Sequence, residues 1–143
     1  MEQEKRISSN RFWLGGSMVS NATVAIVDDD QSVREAMGSL IESLGYRASV
    51  FSSAEQFLAS DTLGETQCLI SDMQMPGIGG ENLFWKMRTE RPSLPVILIS
   101  AYADEKTGRR LITSGAAGFF FKPFDIKGLI SCLDLLLSDN TVL

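Results

Sequence analysis

The sequence predicts an α/β domain: five parallel strands, each followed by a helix, with helices on both faces of one sheet. Three observations predict it. From Asn21 onward, short apolar runs alternate five times with segments of helical period. The runs are apolar almost without interruption, as in Val96-Ile97-Leu98-Ile99, which is the pattern of strands buried on both faces. The 143 residues, 44% of them hydrophobic, are enough for a single core of ordinary size. Regular strand–helix alternation calls for right-handed crossovers, and therefore for parallel pairing.

The elements follow in order. Thr23–Val27 is the first strand, and Asp30 or Gln31 starts a helix as a cap without chemistry of its own. Along Ser32–Leu44, Val33, Met37, Leu40, Ile41 and Leu44 recur at helical spacing until Gly45 stops the helix. Tyr46–Phe51 alternates as a second strand. Ser52 and Glu55, three apart before Phe57 and Leu58, read as a capping box. Gln67–Ser71 is the third strand, and Glu81–Glu90 the third helix, with Leu83, Phe84 and Met87 on one face. Pro95–Ser100 is the fourth strand. Asp104–Ser114 is a weaker helix ended by Gly115, and Gly118–Phe121 a fifth strand cut off by Lys122-Pro123. The last helix, Asp125–Ser138, turns Ile126, Leu129, Ile130, Leu133, Leu136 and Leu137 inward. Five such units fit the flavodoxin-like strand order 2-1-3-4-5, which reverses between strands 1 and 3. Residues 21–139 form the domain, 1–20 a flexible leader without sustained period, and 140–143 a tail.

Composition closes off several functions. The net charge of −5 argues against a nucleic-acid surface, which needs clustered Lys and Arg. No apolar stretch is long enough for a bilayer span, and the leader lacks signal-peptide architecture. Cys68 and Cys132 sit far apart in apolar patterns and read as buried free thiols of a cytoplasmic protein. There is no histidine, which removes a Ser-His-Asp site, His-ligated zinc and any phosphohistidine carried by the chain itself.

The chemistry is at the strand ends. Asp72 closes the run Cys68-Leu69-Ile70-Ser71 and opens into Met73-Gln74-Met75-Pro76-Gly77, while Asp28-Asp29-Asp30 ends the first strand in the same way. In an open parallel sheet, ligands bind outside the carboxyl ends of the strands at the reversal point, which these acids flank. Carboxylates crowded there repel one another unless a cation sits among them. Ser100 and Lys122 end strands 4 and 5 on the same rim. Acids, a hydroxyl and a lysine are the inventory for holding a divalent cation and a phosphoryl group. Mg2+ takes oxygen ligands, one or two of them carboxylates. A carboxylate can attack phosphorus, and positioning and charge neutralisation do most of the remaining work.

Together, Ile26-Val27-Asp28-Asp29, Ser71-Asp72-Met73-Gln74-Met75-Pro76-Gly77, Ile99-Ser100-Ala101 and Phe121-Lys122-Pro123-Phe124 resemble the receiver domain of two-component response regulators, of the CheY-like superfamily. The resemblance covers roughly Ala22 to Ser138. It implies that Asp72 is the phosphoacceptor, taking a phosphoryl group from a sensor histidine kinase. It implies that Asp29 binds Mg2+ directly and Asp28 through water, with Asp72 and the main-chain carbonyl of Gln74 completing the protein ligands. Ser100, with Ala101 behind it, would meet the phosphoryl oxygens, and Lys122 would pair first with Asp72 and then with the phosphate. Phe119 would be the rotating aromatic of the switch, and the bond before Pro123 would be cis. Gly79 stands where the family often carries Asp, and Ser100 where it more often carries Thr.

The resemblance also implies a signalling module rather than an enzyme. Ile26–Arg34 and Phe51–Phe57 resemble FixJ-type receivers, which usually precede a DNA-binding domain. The chain is then either the receiver portion of a transcription factor or a regulator acting alone on a protein partner. Phosphorylation-dependent homodimerisation through helix 4 and strand 5 is a further expectation. Two alternatives stand beside this reading. One is a Mg2+-dependent haloacid-dehalogenase-type phosphatase with Asp28 as nucleophile, since Asp28-Asp29-Asp30 loosely matches its strand-end motif. The other is a receiver-like docking module that never takes phosphate.

Overall fold

A computed structural model describes residues 11–14, 17–20, 22–102 and 104–137. Five parallel strands form the central sheet: β3 (Thr23–Val27), β4 (Arg47–Phe51), β5 (Thr66–Asp72), β6 (Val96–Ser100) and β7 (Gly118–Phe121). Their spatial order is β4-β3-β5-β6-β7. Counted within the sheet this is 2-1-3-4-5, the flavodoxin-like order that the alternation predicts. Five helices join them: α1 (Gln31–Ser43), α2 (Ala54–Leu58), α3 (Gly80–Glu90), α4 (Glu105–Thr113) and α5 (Ile126–Leu137).

Within the stretch 1–20, where the sequence reading assigns no element, β1 (Arg11–Leu14) and β2 (Ser17–Ser20) pair antiparallel, Arg11 opposite Ser20 and Leu14 opposite Ser17. The rest of that stretch lies outside the described residues, as do Ala103, Ser138 and the tail.

The central strands are largely apolar because alternate residues feed two cores, whereas the edge strand β4, Arg47-Ala48-Ser49-Val50-Phe51, is only partly buried. Val24 and Ile26 of β3 join Cys68, Ile70, Ile97 and Ile99 against α1 and α5 through Met37, Ile41, Leu129 and Leu133. Ala25 and Val27 join Leu69, Val96 and Leu98 on the opposite face, against Phe57, Leu83, Phe84, Met87 and Leu111 of α2, α3 and α4. All five residues of β3 and of β6 are buried. On the first face, Tyr46 is buried and donates its hydroxyl to Asp134 Oδ1 at 3.2 Å, tying the turn before β4 to α5.

The helix starts show local chemistry at work. Asp30 caps α1, accepting from Ser32 N at 2.8 Å and Val33 N at 3.2 Å. Asp104 caps α4, accepting from Thr107 N at 2.8 Å. Such caps satisfy donors that the first turn leaves unpaired. The capping box expected from Ser52 and Glu55 is shifted by one residue. Ser53 is the cap, accepting from Gln56 N at 3.1 Å, and Gln56 Oε1 accepts from the Ser52 backbone N–H and hydroxyl at 2.9 Å each. A glutamine reaches back as well as a glutamate does. That leaves Glu55 to accept from Ile78 N at 3.2 Å, fastening the loop after β5.

Candidate phosphoacceptor and cation site

The four inner and outer strand ends converge on one rim. Asp28 follows β3, Asp72 ends β5, Ser100 ends β6 and Lys122 follows β7. Backbone bonds stitch this rim: Asp28 N donates to Phe51 O at 3.1 Å, Met73 N to Ile99 O at 2.8 Å, and Lys122 N to Ser100 O at 2.8 Å. The Lys122–Pro123 peptide is cis.

One carboxylate oxygen from each of Asp28, Asp29 and Asp72 lies within 4.8 Å of the others. Asp28 and Asp72 are buried, whereas Asp29 is exposed. Asp28 Oδ1 accepts from Asp30 N at 2.9 Å. Its carbonyl takes Nη1 of Arg34 at 2.8 Å, so the first turn of α1 reaches back to hold the acidic loop. Lys122 Nζ bridges the two buried acids, 3.5 Å from Asp28 Oδ2 and 3.3 Å from Asp72 Oδ1. The second contact is an ion pair without the direction of a good hydrogen bond. Asp72 Oδ1 is therefore buried with no well-aligned donor among the described residues.

The electrostatics follow from this crowding. Burial, and then the neighbouring Asp28 carboxylate, push the Asp72 carboxyl above its ordinary range, with Lys122 opposing. Burial works against the Lys122 charge, but Asp28 and Asp72 outweigh it and hold the ammonium above its ordinary range. One lysine thus serves two buried carboxylates, and the third acid adds further negative charge. An oxygen-only donor set with an orphaned carboxylate oxygen fits a hard divalent cation such as Mg2+; no nitrogen or sulfur ligand is present in the cluster.

The remaining sequence-predicted residues surround this centre. Ser100 is fully buried; its hydroxyl donates to Gln74 Oε1 at 3.2 Å and accepts from Tyr102 N at 3.2 Å. Gln74 and Ala101 are exposed beside it. Phe119 lies off the rim, edge-on to Phe121 with ring centroids 5.3 Å apart and close against Gly108 of α4. These aromatics floor a groove of about 370 Å3 walled by Glu105, Arg109, Ile112 and Thr113.

Among the contacts that sequence reasoning missed are the Gln74 side chain on Ser100, Arg34 on the Asp28 carbonyl, and Glu55 on Ile78. Arg34 carries a detectable signal, since a basic residue in the first turn works against the helix dipole unless it has another partner. Asp30, the second acid of the phosphatase-type motif, is engaged in capping α1.

The description "Response regulator receiver domain" matches residues 24–134. The response regulator protein TmoT of Ectopseudomonas mendocina is 37% identical over 112 residues, covering 78% of this chain and 51% of TmoT. The transcriptional regulatory protein FixJ of Azorhizobium caulinodans is 31% identical over 116 residues, covering 81% of this chain and 55% of FixJ. The solved structure of the response regulator StyR superposes with a TM-score of 0.74 at 33% identity, over 82% of this chain and 60% of that one. The chain spans about half the length of the curated relatives it matches. No helix among the described residues is long and apolar enough to cross a membrane.

Proposed function

Because the chain belongs to the response regulator receiver domain family, we propose that it is a phosphorylation-gated signalling module with Asp72 as phosphoacceptor. The observation that carries the reading is the convergence of three carboxylates and one lysine on a single rim. A bound Mg2+ would screen the acids and the incoming phosphoryl oxygens. Asp29, Asp28, Asp72 and the Gln74 carbonyl are its ligands in this reading.

Transfer is a displacement at phosphorus. An Asp72 oxygen forms the new O–P bond as the P–N bond of a kinase phosphohistidine breaks. The electron pair leaves with the imidazole, which takes a proton from solvent. Lys122, already between Asp28 and Asp72, turns its charge to the new phosphoryl group. The adduct adds about −1.5 to −2 charges and three acceptor oxygens. Ser100 moves towards them, and Phe119 follows into the space, altering the groove between α4 and β7. That face is the proposed homodimer or partner surface. Acting in the cytoplasm, the chain takes as partners a sensor histidine kinase and, downstream, either a transcriptional output domain or a protein target. No catalytic turnover of an external substrate is required.

The test is acyl-phosphate mapping after incubation with acetyl phosphate and Mg2+. A single phosphoryl group on Asp72, absent from Asp72→Asn, is the expected result. A label on Asp28 favours phosphatase-type chemistry instead, and no label beside a positive control favours a docking module that never takes phosphate.

A further inference from the structure

We propose that the Gln74 side-chain amide competes with the phosphoryl group for the single proton of Ser100, and so sets how completely a phosphorylated domain switches. The inference rests on Asp72 being the phosphoacceptor. It deepens that reading by naming what restrains the response.

Ser100 Oγ is committed in both directions. It donates to Gln74 Oε1 at 3.2 Å and accepts from Tyr102 N at 3.2 Å. A hydroxyl has one proton, so a new bond to a phosphoryl oxygen must replace the bond to Gln74. The two acceptors differ in strength. The amide oxygen is neutral, whereas a phosphoryl oxygen is anionic, and hydrogen bonds to ionised acceptors are roughly twice as strong. The driving force for moving Ser100 is then the difference between two bonds, not the whole of one.

Placement supports the competition. Gln74 lies two residues beyond Asp72, on the loop leaving β5, while Ser100 ends the neighbouring strand, where Asp72 pairs with Ile99. Ser100 is fully buried, so water is poorly placed to take over its proton when the amide lets go. The same loop is fastened from outside by Glu55 on Ile78 N. Gln74 therefore projects from an anchored segment rather than from a free tip. Its main-chain carbonyl and its side chain serve different ends: the first is a proposed cation ligand, the second holds the switch hydroxyl. Substituting the side chain removes the second and leaves the carbonyl in the backbone.

A double-mutant comparison with beryllofluoride as the phosphoryl mimic tests this, using the full chain with saturating Mg2+. Gln74→Met keeps side-chain length and removes the competing acceptor. It is expected to tighten beryllofluoride binding about three- to tenfold, the worth of one hydrogen bond, with Mg2+ held saturating for every variant. In a Ser100→Ala background, which has no proton to contest, the same substitution is expected to have no effect. Gln74→Asn, which keeps an amide, falls between the parent and Gln74→Met. An equal gain from Gln74→Met with and without Ser100, or a loss of affinity, overturns the competition while leaving Asp72 as phosphoacceptor. Failure of the parent chain to bind beryllofluoride at all, or to label with acetyl phosphate, overturns both readings.

Discussion

Glu81 in α3 and Arg110 in α4 form a two-pronged ion pair, Nη1 to Oε2 at 2.8 Å and Nη2 to Oε1 at 3.1 Å. The Trp85 indole N–H donates to the same Oε2 at 3.2 Å. Hydrogen bonds from Arg110 and Trp85 hold the Glu81 carboxyl below its ordinary range. The pair links the helix that follows the Asp72 loop to the helix flanking the Phe119 groove.

Arg110→Ala is expected to release α4 and free the Glu81 carboxylate to which Trp85 donates. Intrinsic fluorescence in a Trp13→Phe background, where Trp85 is the remaining tryptophan, is expected to show a changed emission maximum. Arg110→Lys is expected to restore little, because an ammonium does not reproduce the planar fork. Identical emission in all three proteins counts against a coupling through this pair.

Asp72→Asn is expected to stabilise the Mg2+-free domain, and more so at neutral than at acid pH. The folded state raises the Asp72 carboxyl above its unfolded value of 3.8. The folded chain then holds that proton more tightly than the unfolded one, so stability falls as pH rises from 3.8 through the raised value. The variant lacks this loss. Its advantage is expected to grow by about 1–3 kcal/mol across that window, the cost scale of an imperfectly paired buried group. Thermal melts at several pH values measure it. Saturating Mg2+ is expected to erase the advantage.

Lys122→Ala removes the cation that bridges two buried acids. In Mg2+-free buffer it is expected to cost about 1–3 kcal/mol of stability, since a buried charge loses its partner. Mg2+ affinity is expected to be retained or raised, because a competing positive charge has gone. The response to beryllofluoride, read as the shift in Trp85 emission, is expected to be lost. A variant that binds Mg2+ worse than the parent contradicts this assignment.

Gly80→Ala places a methyl group against the Asp72 carbonyl oxygen and 2.8 Å from Met73 Cα. Those atoms are backbone, so α3 and the loop after Asp72 must separate. The expected loss is about 1–3 kcal/mol, the usual range for overpacking. Chemical denaturation measures it, and labelling of Asp72 is expected to slow in parallel. A neutral effect on both means that α3 is free to slide.

Most of the frame was legible because it depends on local pattern. The doubly buried strands announced themselves through unbroken apolar runs, and the acids and Lys122 through their position at strand ends. Where neighbours compete for one local role, sequence is ambiguous. Ser52 and Ser53 both suit a cap, and Glu55 and Gln56 both suit its reply; the backbone chose the second of each. Contacts across sequence distance were not legible at all. Nothing in Glu81 foretells Arg110 29 residues later, or in Ser100 foretells Gln74 26 residues earlier. Such pairs arise only once the sheet has set the helices and loops side by side.

β7 is four residues long and, among the described residues, pairs with β6 alone. It carries Phe119 and Phe121, and Lys122 follows it directly. The outermost rail of the sheet thus bears both the counter-charge and the aromatic ring. A sideways tug at its tip has no second ladder among the described residues to drag, so a change at β7 is expected to reach α4 while the interior strands β3, β5 and β6 stay put.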